Sequence, residues 1–343
     1  MTLKSKRRVI DLAVSYRPFI LVIFAYMLIM SVGSCIFWVP LALRGRTDFR
    51  HLYTAGYMVR SGHAHELYDS DAEFKFQNEL AGPLAMTLPF NHLAYEALFF
   101  LPLSFAGFRL AYLLFFGINL VLVAACCKML QPYLTSLKTI WTWLPPAILF
   151  CFYPITAALI QGQDSIIMLT LVAAAFVSHR KGNDFWAGVL VGLTVFKFHF
   201  SIPFFVLFLA WKWWRPALGF LASSAGAIGV SVAITGFGGT AVYLRSLVSM
   251  SLELKTAQQQ DFYGIHPVGM PNLRGLIYAL TSQHLGHLWM QILTVVLSAV
   301  LLLVAARSRP SFSLAVLVTV LVSYHALLHD ISLLVLPIGL LGA

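Results

Sequence analysis

Charge is what this sequence has least of. Asp, Glu, Lys and Arg together make up 10% of its 343 residues, against about 25% in a soluble domain, whose surface must be wetted. A soluble globular protein of this length is thereby excluded, and the 59% hydrophobic content puts most of the surface against lipid. Acids are scarcer than bases, 13 against 23, for a formal net charge of +10. That excess does not build a nucleic-acid-binding surface, because the basic residues are scattered over short loops. Their one run is Lys4, Lys6, Arg7 and Arg8, and no nucleic-acid partner is expected. Cysteine is sparse too: Cys35, Cys126, Cys127 and Cys151 all lie inside apolar runs and none is spaced for zinc. They read as buried structural residues.

What is present is a series of apolar runs approaching the ~20 residues that a bilayer-spanning helix needs. In lipid every backbone group must be satisfied internally, so these runs are helices. The expected fold is all-α, a polytopic transmembrane helical bundle forming one membrane-embedded domain over 1–343. Pro18 to Leu43 is too long for a signal peptide and lacks a small-residue cleavage site, so it reads as an uncleaved first helix. The basic run before it places the N-terminus in the cytoplasm. This helix exports the polar stretch 44–89, a first non-cytoplasmic loop whose aromatic and aliphatic content predicts short amphipathic helices at the membrane surface.

Further on, Phe90 to Cys127 is apolar with a break at Pro102–Arg109, and Thr139 to Leu159 is a span ending in Gln161-Gly162-Gln163-Asp164. Ser165 to Val177 runs to the cytoplasmic stop His179-Arg180-Lys181. Phe185 to Ala210 is interrupted by Lys197, His199 and Pro203, which predicts two short helices meeting at a non-cytoplasmic apex. Ala217 to Phe237 is a clean span, and 238–274 is a second non-cytoplasmic loop. Leu288 to Ala306 is stopped by Arg307 and Arg309, and Phe312 to Leu328 returns outward carrying His325, His329 and Asp330. The chain stops at Ala343 partway through another apolar run, so a longer natural protein is expected. Of the 13 Asp and Glu residues, all but Asp11 and Asp184 fall outside or within the membrane. Acids weigh little in setting topology, so the skew points to work done on that side.

Five polar clusters converge there: Asp48; Gln161 to Asp164; Lys197 and His199; His266 to Arg274; and His325 to Asp330. Ionisable residues in or beside a membrane span are expensive, which makes each a candidate for function. Asp48 fits a general base and equally an N-cap of the helix predicted over Phe49–Val59. Lys197 fits a phosphate ligand or a snorkelling lysine, and Arg274 a second phosphate ligand or a solvated loop arginine. His325 and His329, four apart, share a helix face; with Asp330 they look superficially like metal ligands. Without a clear third ligand, hydrogen bonding to a phosphate or sugar is the better reading, and neither a metal nor another cofactor is expected. Gln161 and Gln163 offer amides to sugar hydroxyls or to neighbouring helices. The set Trp211, Trp213 and Trp214 beside Lys212 and Arg215 reads as an interfacial belt in contact with membrane lipids.

The stretch Thr47-Asp48-Phe49-Arg50-His51-Leu52-Tyr53-Thr54-Ala55-Gly56, followed by Gly62 and Leu67-Tyr68-Asp69, resembles the first-loop signature of glycosyltransferase family 87. Those enzymes are polyprenyl-phosphate-mannose-dependent α-mannosyltransferases of the GT-C class. Pro102-Leu103, Gly162-Gln163, Ala187-Gly188 leading to Lys197, and Asp330 followed by Leu333-Leu334 and Pro337 fit the same pattern. The chain departs from it at Asn91-His92-Leu93 and at Phe198, which leaves the substrate open. The resemblance implies a GT-C-like fold, Asp48 as catalytic base, and Tyr53 among the substrate-binding residues. It implies a polyprenyl-phosphate sugar donor and a lipid or glycan acceptor. It also places the protein in a plasma membrane of the bacterial inner-membrane type, with its site on the non-cytoplasmic side. A polyprenyl phosphate leaves as a stabilised anion, so the second carboxyl acid of a glycosidase is not required. A base for the acceptor hydroxyl and donors for the phosphate suffice, and direct displacement inverts the anomeric centre. The rival class is a transporter or flippase, for which broken helices and intramembrane polar residues are equally apt.

Overall fold

A computed structural model describes residues 16–85, 87–252, 266–282 and 284–340. The basic run Lys4–Arg8 and Asp11 lie outside them, as does 253–265 of the second predicted loop. The described residues are helical throughout the regular structure, with no strand among them. Four helices are long and apolar enough to cross a membrane, or up to six if each of two bent pairs is one span. The chain is an all-α polytopic integral membrane protein.

Helix α1 (Arg17–Ala42) packs chiefly against the first bent pair, and only 6% of its most apolar stretch is buried. Lipid is the natural cover for such a surface. The first loop then folds into α2 (Phe49–Arg60) and α3 (Ser70–Ala81). These are the short amphipathic helices expected. Arg50, fully buried, pins them: its guanidinium donates to the carbonyls of Gly45 and Gly82 and, at 2.6 Å, to Oδ1 of Asn78. Phe49, also fully buried, stacks on Phe115 with ring centroids 5.3 Å apart. Burying one such ring is worth about 2–3 kcal/mol.

The break predicted near Pro102 is present: short turns at Ala97–Phe100 and Pro102–Phe105 precede α4 (Phe108–Leu130). A single span predicted from Thr139 is instead two helices, α5 (Leu144–Cys151) and α6 (Tyr153–Gln161), bent by 46°. Phe152 is extended there, and Pro154 sits in the first turn of α6, where a missing amide hydrogen is harmless. Helix α7 (Ser165–Arg180) leads to the second bent pair, α8 (Asp184–Gly192) and α9 (Phe198–Ala210). They meet at 59°, the two short helices predicted, with Lys197 closing the turn Val195–Lys197 between them. Helix α8 lies so close to α10 (Trp214–Leu252) that a Cβ on Gly188 would fall 1.9 Å from the carbonyl oxygen of Pro216. Only glycine fits.

Two expectations are corrected. Residues 238–252 are not a loop: the backbone kinks at Gly236 (φ 70°) and resumes as helix to Leu252. The later part of that predicted loop carries α11 (Leu273–Thr281), so Arg274 is helical rather than a loop arginine. Secondly, after α12 (His287–Arg307), helix α13 (Phe312–Val322) stops well short of Leu328. Ser323 turns into an extended conformation and its hydroxyl donates to the carbonyl of His325 at 2.9 Å. His325 and His329 therefore lie on irregular chain and do not share a helix face.

Candidate active site

The polar residues gather around one tight turn, Gln161 to Asp164, between α6 and α7. Gly162 ends α6 in the left-handed conformation (φ 58°), and a Cβ there would meet Cβ of Phe49 at 2.7 Å. The amide of Gln163 reaches back to the carbonyl of Ala158 at 2.9 Å, closing the helix end. From this turn the side chains reach three other segments. Oε1 of Gln161 accepts from Nδ1 of His329 at 2.7 Å. Nε2 of Gln163 donates to Oδ2 of Asp48 at 2.7 Å. Asp164 pairs with Lys197 through Oδ1 at 2.7 Å and with His92 through Oδ2 at 3.2 Å.

Lys197 is the centre of charge. Its ammonium contacts Oδ1 of Asp164 at 2.7 Å, Oδ1 of Asp330 at 2.6 Å and Oγ of Ser165 at 2.8 Å. An ammonium has three protons to donate, and all three have partners here. Asp330 is held in turn by the Ser165 hydroxyl at 2.8 Å and the Leu327 amide at 2.9 Å. Asp164 is completely buried, and Asp330 and Lys197 nearly so. Snorkelling is ruled out for this lysine, because its charged end points inward to paired carboxylates.

Asp48 precedes α2 but does not cap it with its side chain. The carboxylate is partly exposed and spends its contact on Gln163 instead. Neighbouring Thr47 donates to the carbonyl of Gln161 at 2.8 Å, so the whole start of α2 is docked on the turn. Tyr53 is not part of this gathering. Its hydroxyl donates to the carbonyl of Ala106 at 2.8 Å, and its ring packs edge-on against Phe108.

The second cation, Arg274, is also buried. It lies over the Tyr324 ring at 3.9 Å and donates to the Tyr324 carbonyl at 3.0 Å. It has no carboxylate partner among the described residues, and its Nε has no hydrogen bond. His199 and His325 stand together, ring centroids 6.1 Å apart, and Nε2 of His199 is likewise unpaired.

Three residues absent from the predicted set join the cluster. Nδ1 of His92 bonds Oε2 of fully buried Glu96, beside its contact with Asp164. Burial opposes a charge on His92, but the carboxylates of Glu96 and Asp164 outweigh it and raise its pKa to about 10. His51 sits against His92, ring centroids 5.8 Å apart; burial and then the field of His92 push its pKa down to about 3, so its ring is neutral. The one sequence signal was the i, i+4 spacing of His92 and Glu96. Their third partner, Asp164, lies far along the chain.

A buried, charge-paired polar cluster with a partly exposed carboxylate at its edge, inside a helical membrane bundle, defines an integral membrane protein built for chemistry on a polar group. The family model for glycosyltransferase family 87 matches residues 95–337. The chain belongs to that family and is a glycosyltransferase. The matched region contains Glu96, the 161–164 turn, Lys197, Arg274 and Asp330, while Asp48 and His92 precede it. No curated protein and no solved structure matches the chain.

Proposed function

We propose that this glycosyltransferase moves a hexose, mannose in this reading, from a polyprenyl-phosphate donor to the hydroxyl of a lipid or glycan acceptor. The transfer is an inverting direct displacement with Asp48 as general base, on the non-cytoplasmic side of a plasma membrane of the bacterial inner-membrane type. The observation that carries it is the state of Asp48. It is an acid at the start of the first loop that caps nothing and remains partly exposed. Gln163, on the turn whose next residue grips Lys197, fixes one of its oxygens and leaves the other to take a proton. A base needs that combination of restraint and access. The donor's phosphate supplies its own leaving-group stability, so no acid partner is required.

The phosphate needs positive charge and donors. Lys197 has its protons committed to Asp164, Asp330 and Ser165, so it acts in this reading by holding the α7, α9 and 330–334 segments in place. Arg274, unmatched by any carboxylate among the described residues, is the cation for the phosphate, with His199 and His325 beside it. Gln161 and His329 serve the sugar. The test is transfer of radiolabelled mannose from polyprenyl-phosphate mannose in membranes carrying wild type or Asp48→Asn. General-base catalysis is worth roughly 10²–10⁴-fold, so turnover falls by at least about a hundredfold while protein level holds. Near-normal transfer in Asp48→Asn would remove Asp48 from the role.

A further inference from the structure

We propose that His92, Glu96 and Asp164 form a binding site for a divalent cation. One nitrogen and one oxygen from each carboxylate lie within 4.8 Å of one another. Metal–ligand bonds of roughly 2.0–2.2 Å place two ligands no more than about 4.4 Å apart across an ion, so little movement is needed to close the set. An imidazole with two carboxylates suits a first-row ion such as Mn²⁺ or Zn²⁺.

Charge supports the same site. Three buried carboxylates, Glu96, Asp164 and Asp330, face one ammonium, that of Lys197, which reaches only two of them. The protonated ring of His92 offsets one of the two remaining negative charges and leaves the other unmatched, and unmatched charge in a buried site is strongly unfavourable. A divalent cation between Glu96 and Asp164, with His92 as a neutral ligand, cancels both. It lies on the side of Asp164 away from Lys197, because Lys197 holds Oδ1 while Oδ2 faces His92.

A second observation points to a ligand independently of the charge count. Glu96 is fully buried, yet its Oε1 has no hydrogen-bond partner. Nδ1 of buried His51 is equally without one, on a ring that rests against that of His92. An oxygen of one of the three residues and a ring nitrogen beside them thus lack the partners that buried polar atoms nearly always have. An ion and its shell give them an occupation. His92, on the extended stretch just before the short turn Ala94–Glu96, bonds back to Glu96 at the end of that turn, and the start of α7 supplies the opposite wall.

The test uses the full-length protein in detergent, stripped with EDTA and titrated with Mn²⁺ alone, bound ion being counted by electron paramagnetic resonance. Zn²⁺ is run in parallel by elemental analysis. One ion per chain is expected, with a nitrogen coupling in the pulsed spectrum of bound Mn²⁺. His92→Gln and Glu96→Gln should each weaken binding at least tenfold, whereas Glu79→Gln, an exposed acid on α3, should bind as wild type does. Failure of the folded wild type to bind either ion stoichiometrically overturns the site. So does bound Mn²⁺ without nitrogen coupling, or unchanged affinity in both folded variants. Because the coupling is read on wild type, the site is decided even where a variant fails to fold. No donor sugar or transfer step enters the measurement, and its outcome is separate from that of the transfer assay.

Discussion

Gln163 holds Asp48 by a 2.7 Å hydrogen bond from Nε2 to Oδ2, joining the first loop to the α6–α7 turn across 115 positions of chain. The bond has a buried donor and a partly exposed acceptor, so its loss is felt in orientation more than in stability.

Replacing Gln163 by Leu keeps the bulk and removes the donor. A hydrogen bond to a charged group contributes about 1.5–3 kcal/mol, so kcat should fall roughly 10- to 100-fold if the bond is needed in the transition state. Donor KM should hardly move, because Gln163 is not placed on the phosphate. Steady-state kinetics in nanodiscs, with melting temperature as a control, checks it; a change confined to KM would show that Gln163 binds substrate instead.

Lys197→Met leaves Asp164 and Asp330 buried without their cation. Breaking a buried ion pair from one side typically destabilises by about 3–5 kcal/mol, so the variant should accumulate poorly or melt far lower. Combining it with Asp330→Asn removes one stranded charge and should restore part of the loss. If Lys197→Met melts like wild type and only donor kinetics change, the lysine is a phosphate ligand after all.

Arg274→Met removes a buried cation with no acid partner among the described residues and with its Nε unpaired. Donor KM is expected to rise strongly while the protein stays folded, because no carboxylate is left stranded. Arg274→Lys should recover only part, since lysine lacks the planar fork that matches phosphate oxygens. Unchanged donor KM in Arg274→Met would place the phosphate elsewhere.

Glu73, on α3 in the first loop, gives a pH dependence of stability. Burial raises its pKa from 4.5 to about 8, against the opposing hydrogen bond from the Phe90 amide. The folded state thus binds the proton more tightly than the unfolded chain. Its contribution is fully present below about pH 4.5 and is lost as pH rises toward about 8. Glu73→Gln keeps an oxygen for Phe90 and cannot ionise, so its melting temperature should fall less than wild type's between pH 5 and 8. Parallel curves for the two proteins would mean that Glu73 stays charged in the fold.

Much of the bundle was legible because lipid simplifies the reading. Apolar runs of spanning length admit one local structure, and α1, α4 and α12 follow. Lys197 and Asp330 stood out for the same reason, being charges where charge is expensive. What was not legible depends on contacts distant in sequence. Nothing local marks Asp164 as the joint partner of His92 and Lys197, and Glu96 looks like an ordinary loop acid until its burial is known. Arg274 read as a solvated loop residue because the helix around it is short and its cover, Tyr324, lies 50 positions away. The continuation of α10 past Gly236 escaped detection because a glycine pair in an apolar run signals a stop as readily as a kink.

The bare flank of α1 has a mechanical consequence. Its 26 residues span about 39 Å at 1.5 Å per residue, against a hydrocarbon core of about 30 Å. A helix longer than its slab accommodates the mismatch mainly by leaning, and α1 has few protein neighbours to oppose that lean. The lever ends only a few residues before Asp48, whose other anchor is the α6–α7 turn. The thickness of the surrounding bilayer is therefore applied as a load on the joint between the base and the rest of the site. Acyl-chain length becomes a physical variable of this enzyme alongside pH and temperature.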